Sequence, residues 1–256
     1  MVSSRDHITE IFRLADNREL KEAVEAYITE GDRRHGPIGT WDTSRVTDMS
    51  GIFIDYLGRY QDFNEDISGW DTSRVTDMNN MFWGACNFNQ QLDTHTVTRS
   101  DGTTYQAWDV SRVTNMKGMF SQTLAFNQPL SMWNVSNVTN MSAMFLQTRA
   151  FNEDISTWNT SSVTSMRHMF DSAENFNQSL NKRIVTQPDG SEYEAWDTSN
   201  LIHTTYMFYG AIAMLADYLN LPRDGDIDPN YWEIYFPIIR NKPTKSATTI
   251  RVADLC

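Results

Sequence analysis

Few residues in this chain are placed to do chemistry. Asp224, Asp226 and Asp228 have the spacing that opens a calcium loop, which then needs Gly at position six and Glu at position twelve; Pro229 and Tyr235 stand there instead. An acidic loop is the expectation. The five histidines, His7, His35, His95, His168 and His203, show no paired zinc spacing. No glycine-rich phosphate loop, nucleophile elbow or Cys–His pairing is visible. Glu65-Asp66 and Glu153-Asp154 are adjacent carboxylates, but Gln90, Gln128 and Gln178 occupy the same recurring place, so they read as solvated. With no convergent acid, base or nucleophile, the expectation is a protein that is not an enzyme and uses no cofactor or metal. The two cysteines, Cys86 and Cys256, are too few for a disulfide-stapled scaffold. Cys86 shares its place with Leu124, Arg149 and Glu174, which predicts a solvent-facing thiol in a reducing compartment.

Composition narrows the partners. Of 256 residues 40% are hydrophobic and 12% aromatic, enough for a sizeable core. A net charge of −12 argues against nucleic acid, which needs a basic stripe, and against an anionic membrane surface. The first twenty residues lack the pattern of a secretory signal, and no run of 18 apolar residues exists. These features predict no membrane insertion and an intracellular place or one within a larger particle, with surface exposure left open.

The elements that would position any site come from a repeat. Trp41, Trp70, Trp108, Trp133, Trp158 and Trp196 open units at intervals of 29, 38, 25, 25 and 38 residues. Each unit follows W-[DN]-[TV]-S-x-[VL]-T, then Met, then [MI]-F, a small residue, and F-N before Leu or Ile. A unit has about seven large apolar positions, too few to fold without neighbours. The alternating S-x-V-T-x-M predicts a short strand, and M-x-x-M-F-x-x-[AT] predicts a turn or two of helix. The expected class is an α/β repeat solenoid, a leucine-rich-repeat-like run of about six coils with a short strand and a short helix in each. The six tryptophans and Asn64, Asn89, Asn127, Asn152 and Asn177 would form structural ladders, each Asn at an inward corner bonding backbone groups. The methionines at the two repeat positions read as core. The sequons at Asn134, Asn137, Asn140, Asn159 and Asn177 fall out of the repeat and read as unused.

Three regions follow. Residues 1–40 read as an N-terminal helical cap, helical from 5 to about 30, or as two helices with the second from about Arg18 to Thr29. Residues 41–210 carry the repeat. Residues 211–256 read as a C-terminal cap and tail, whose YWEIYFPII segment (Tyr231–Ile239) is aromatic and β-prone.

The two long intervals hold related inserts, TVTRSDGTTYQAWD from Thr96 and IVTQPDGSEYEAWD from Ile184. Asp101-Gly102 and Asp189-Gly190 between alternating segments predict two projecting β-hairpins, three units apart and on the same side. Insertions on one face mark a candidate binding face, with Arg99, Asp101, Tyr105, Asp189, Glu192 and Tyr193 as candidate partner-binding residues.

The unit WDTSRVTDM-x-x-MF-x-x-A-x-x-FNQ-x-L resembles the BspA-like surface-protein repeat, also called the mycoplasma-lipoprotein repeat, across residues 41–210. That resemblance implies a leucine-rich-repeat-like solenoid, adhesion or host contact in secreted members, and no catalytic residues. The leading functional expectation is a non-enzymatic module that binds a protein partner, as a structural subunit of a larger assembly such as a virion or an organellar complex. The alternative is a carbohydrate-binding or adhesive surface using Trp83, Tyr105 and Tyr193.

Overall fold

Asp16 opens a helix. Its side chain accepts from the Glu19 amide at 2.9 Å, and the Glu19 carboxylate reaches back to the Ala15 amide at 2.6 Å. The helix, α1 (Asn17–Thr29), buries Leu20, Val24 and Tyr27 along one stripe. Gly31, at φ +68, lets the chain turn away. Ahead of the helix, the Leu14 amide donates to the Asp42 carbonyl and the Asp42 amide to the Phe12 carbonyl, which ties this segment to the first unit. The computed structural model describes residues 12–54 and 58–214; the expected helix before residue 12, the Asp224–Asp228 loop and the Tyr231–Ile239 segment lie outside them.

The α/β leucine-rich-repeat-like solenoid expected from the sequence is corrected here. Among the described residues there are α1, a 3-10 turn at Ile38–Thr40, two small antiparallel sheets and three helical residues at 212–214; units 41–210 contain neither a helix nor a strand apart from the inserted hairpins. The cause is local. Ten residues after each Trp the backbone is left-handed, at Gly51, Asn80, Gly118, Ala143, His168 and Tyr206, with φ between 54° and 64°. Fourteen residues after it the same holds at Gly84, Gln122, Gln147, Ser172 and Gly210. A right-handed helix cannot pass through such residues. The spacing that reads as helical is therefore two successive tight turns, closed by Met81 N donating to Met78 O and Ala85 N to Phe82 O.

The expected strand fails for a related reason. Asp and Asn side chains bond the backbone two residues on: Asp71 accepts from the Ser73 amide and Asp77 from the Asn79 amide. What remains between them is one bridging residue per unit, in the parallel series Asp48, Asp77, Asn115, Asn140, Ser165 and His203.

Neighbouring units satisfy one another's backbone. In the third unit the amides of Met116, Gly118, Phe120 and Gln122 donate to carbonyls of Asn140, Ser142, Met144 and Leu146 at 2.7–2.9 Å. The repeat phenylalanines are buried and face each other, with centroids 5.5 Å apart for Phe82–Phe120, 5.7 Å for Phe120–Phe145 and 5.6 Å for Phe145–Phe170. Trp108, Trp133 and Trp158 stack at 6.4 and 6.5 Å. The indole N–H of Trp70, Trp108, Trp158 and Trp196 each donates to the carbonyl three residues ahead of the previous Trp, as in Trp158 to Leu130 at 3.1 Å, and that of Trp133 to the Leu92 carbonyl just before the first insert. The repeat methionines are buried.

The recurring Asn lies at the surface, not at an inward corner. The side-chain oxygens of Asn64, Asn89, Asn127 and Asn152 accept from the amides of Asn89, Asn127, Asn152 and Asn177 at 2.7–2.9 Å. Cys86 also departs from expectation: it is 5% exposed and disulfide-bonded, with Cys256, the one other cysteine, outside the described residues. A small neighbour-facing side chain at this place is buried where Arg149 is not.

Candidate functional site

The two inserts are hairpins of one design. In the first, β1 (His95–Thr98) pairs antiparallel with β2 (Thr104–Ala107), His95 opposite Ala107. In the second, β3 (Arg183–Thr186) pairs with β4 (Glu192–Ala195) in the same register, Arg183 opposite Ala195. Each turn is a three-residue loop. Gly102 N donates to Arg99 O at 2.9 Å and Arg99 N to Thr103 O at 2.7 Å, while Gly102 sits at φ +83. That combination is a type I turn completed by a glycine bulge, which is why Asp-Gly ends the loop. Gln187, Gly190 and Ser191 repeat the pattern. Asp101 and Asp189 cap these turns by accepting from the amide and hydroxyl of Thr103 and Ser191. Those bonds hold both carboxyls below the ordinary aspartate value.

Alternation then sorts the strand residues. Val97 and Tyr105 face inward and pack on the core, as do Val185 and Tyr193. The Tyr105 hydroxyl donates to the Gly69 carbonyl, and that of Tyr193 to the Thr157 carbonyl at 2.6 Å. Burial pushes both phenols up from their ordinary value. Gly69 and Thr157 each directly precede a unit-opening Trp, so both hairpins are pinned to the same side of the units. Thr96, Thr98, Thr104 and Gln106 face outward on the first hairpin. Ile184, Thr186, Glu192 and Glu194 do so on the second.

The six candidate partner-binding residues divide accordingly. Tyr105 and Tyr193 are anchors, and Asp101 and Asp189 hold turns while remaining exposed. Glu192 lies on the outer face and accepts from Thr186 Oγ1 at 3.2 Å. Arg99 folds back, donating to Asp71 Oδ2 at 2.8 Å with its guanidinium 4.1 Å from the Tyr105 ring centre. Neither tyrosine is therefore a free platform for a sugar. Arg99, Asp71 and Tyr105 instead edge a cleft of about 330 Å³ with Arg13, Trp41 and Asp42. Arg13 pairs with Asp42 at 2.6 Å. Burial acts to raise the Asp42 carboxyl, but the Ser44 hydroxyl and amide and the Arg13 guanidinium outweigh it and hold the group low.

The histidines are dispersed. His35 stacks on Phe12 at 3.6 Å, His95 lies beside the Asp93 carbonyl and His168 contacts Asp171 at 2.8 Å. Among the described residues no three His, Cys, Asp or Glu side chains are grouped to hold a metal ion, and no helix is long and apolar enough to cross a membrane.

One residue of this face escaped sequence reasoning. Met132 directly precedes Trp133 and is 66% exposed. Thr40, Gly69, Ala107, Thr157 and Ala195 fill the equivalent position in other units, so the single large apolar side chain there is a signal that aligning the units displays. It falls between the places where the two hairpins are pinned.

A family model described as a mycoplasma protein of unknown function, DUF285, matches residues 22–105 and again 94–220. The chain belongs to the DUF285 family. The two matches overlap at the first hairpin, and the second takes in both inserts. No curated protein and no solved structure gives a significant match.

Proposed function

We propose that this DUF285 protein is a non-enzymatic docking module that binds a protein partner across the face carrying both hairpins. The observation that carries this reading is the equivalent anchoring of the two hairpins, three units apart, with Ile184 and Met132 exposed on or between them. Three steps of 5.5–5.7 Å between successive phenylalanines set their separation, a span suited to one partner domain contacting both. The unit's BspA-like pattern supports the same reading, since that family implies contact surfaces and no catalytic residues. A net charge of −12 favours a partner with a basic surface and an association that weakens with salt. A fixed subunit of a virion or organellar complex fits these features.

The test uses outer-face substitutions that leave the tyrosine anchors in place: Thr98→Arg with Thr104→Arg on the first hairpin, and Met132→Asp with Ile184→Asp on the second surface. Recovery of partners from the native source should fall about tenfold for each pair while the fluorescence-monitored unfolding midpoint stays unchanged. Recovery equal to wild type for both pairs would sink the reading.

A further inference from the structure

The cleft beside the first hairpin holds more hydrogen-bond donors than the fold uses. A guanidinium carries five N–H groups. Among the described residues Arg13 uses one, from Nε to Asp42 Oδ2 at 2.6 Å, and Arg99 one, from Nη2 to Asp71 Oδ2 at 2.8 Å. The two carboxylates are bonded on their other oxygen as well. Asp42 Oδ1 accepts from the Ser44 amide, and Asp71 Oδ1 from the Ser73 amide and hydroxyl. The carboxylates also sit deeper: the side chains of Asp42 and Asp71 are 13% and 9% exposed, those of Arg13 and Arg99 54% and 32%. A molecule entering the cleft therefore meets N–H groups before it meets carboxylate oxygens.

A third donor belongs to the same wall. Trp41 lines the cleft and is buried, and its indole N–H has no partner among the described residues. The other unit-opening indoles each reach a carbonyl earlier in the chain, but no unit precedes the first to supply one. The guanidinium is likewise not needed for the fold. Gln187 and Asn159 stand in the second hairpin where Arg99 and Asp71 stand in the first, and that hairpin is anchored in the same way.

Donors in excess select an acceptor as ligand. Guanidinium forks match planar oxyanions, which take two parallel N–H bonds. Two arginines and three aspartates, Asp101 at the turn included, leave the cleft one charge negative, so a phosphate dianion is opposed more strongly than a monoanion. Val97 and the rings of Trp41 and Tyr105 give the wall an apolar part, and about 330 Å³ suits a small molecule. We propose that this cleft binds a small monocarboxylate with a short apolar body, its oxygens accepting from Arg13 and Arg99. The site stands apart from the docking reading, which places a protein on the outer faces of both hairpins.

Titration of the full chain with 4-methylpentanoate at about pH 7, followed through the arginine Nε–H and indole N–H signals in proton–nitrogen NMR spectra, tests the assignment. Saturable shifts of Arg13, Arg99 and Trp41 are expected, and none with neutral 4-methylpentanamide. Arg99→Gln with Asp71→Asn copies the second hairpin, so the unfolding midpoint should hold while the half-saturation concentration rises about tenfold. Absence of a saturable shift overturns the proposal, as does a half-saturation unaltered in the double variant or an amide that binds as tightly as the acid. Inorganic phosphate binding more tightly than the acid overturns the choice of a monocarboxylate. With no acid added, recovery of native partners should be the same for wild type and the double variant. A tenfold fall there would assign the carboxylate to a partner's side chain and overturn the small-ligand reading.

Discussion

Replacing Ala143 with glycine should stabilise this protein, although it removes a side chain from a packed unit. Ala143 has φ +56, the left-handed region where Cβ crowds the following carbonyl. That crowding costs a non-glycine residue about 1–2 kcal/mol. Glycine loses about 0.5–1 kcal/mol through its greater freedom in the unfolded chain. The difference leaves a gain of about 0.5–1 kcal/mol, or roughly 2–4 °C in Tm per kcal/mol for a chain of this size. The methyl of Ala143 is only half-buried, so burial subtracts little. Ala150, in the same unit and also half-buried, is not among the left-handed residues. Ala150→Gly should therefore lose about 0.5–1 kcal/mol, with no strain to relieve. Urea unfolding followed by tryptophan fluorescence measures both, since the unit-opening indoles are buried. Opposite signs are required. A143G destabilising as much as A150G would refute the account of why the units turn where they do.

Two further outcomes are expected. The Ser68 and Ser156 hydroxyls and amides hold the Asp66 and Asp154 carboxyls below their ordinary value. A folded pKa below the unfolded one gives stability that is complete above the unfolded value, about 3.9, and is lost as pH falls through the folded one. The urea midpoint should thus hold steady above about pH 5 and decline below about pH 4; Ser68→Ala with Ser156→Ala should flatten that decline, and an unaltered pH profile in the double variant would count against the turn as its source. Thiol titration of the unfolded, unreduced chain should find no free cysteine and then two after reduction, because Cys86 is disulfide-bonded; two before reduction would exclude the bond.

The parts of the fold that could be read from sequence are those where one side chain sets one local outcome. Asp16 at a helix start, Gly102 and Gly190 at hairpin loops, and Val97 and Tyr105 at alternate strand positions each carry their own signal. The spacing Met78, Met81, Phe82 is different, because a helical turn and a tight β-turn place such residues on one side alike. One residue that separates them lies just before the second methionine position. It is Gly, Asn, Gly, Ala, His and Tyr in successive units, and two of the six being glycine is a faint mark of a left-handed backbone. The strand reading failed because Asp and Asn flanking the valine bond their own backbone, a competition that a β-branched residue does not reveal. At the candidate site, the hairpins and their shared side followed from spacing, but the use of Tyr105, Tyr193 and Arg99 did not. Whether an aromatic in an insert reaches out or folds back depends on an acceptor such as the Gly69 carbonyl, which is nearby only once the chain has folded.

The internal duplication separates what holds a hairpin from what the first one adds. Both hairpins share the inward valine, the tyrosine hydroxyl on a carbonyl before Trp, and the capped glycine loop. Their outer faces differ, and so does one contact at the base: Arg99 and Asp71 in the first correspond to Gln187 and Asn159 in the second. The second hairpin is pinned without that ion pair, so the pair is not required for anchoring. A partly exposed pair of this kind contributes at most about 1 kcal/mol in any case. Its consequence is electrostatic, since it places a fixed guanidinium and carboxylate at the edge of the cleft beside Arg13 and Asp42. In the docking reading proposed above, two supports of equal build that carry different charged pairs, Arg99–Asp71 on the first and Lys182–Glu194 on the second, would fix a partner's polarity along the face, because a partner reversed end for end would meet the wrong edge.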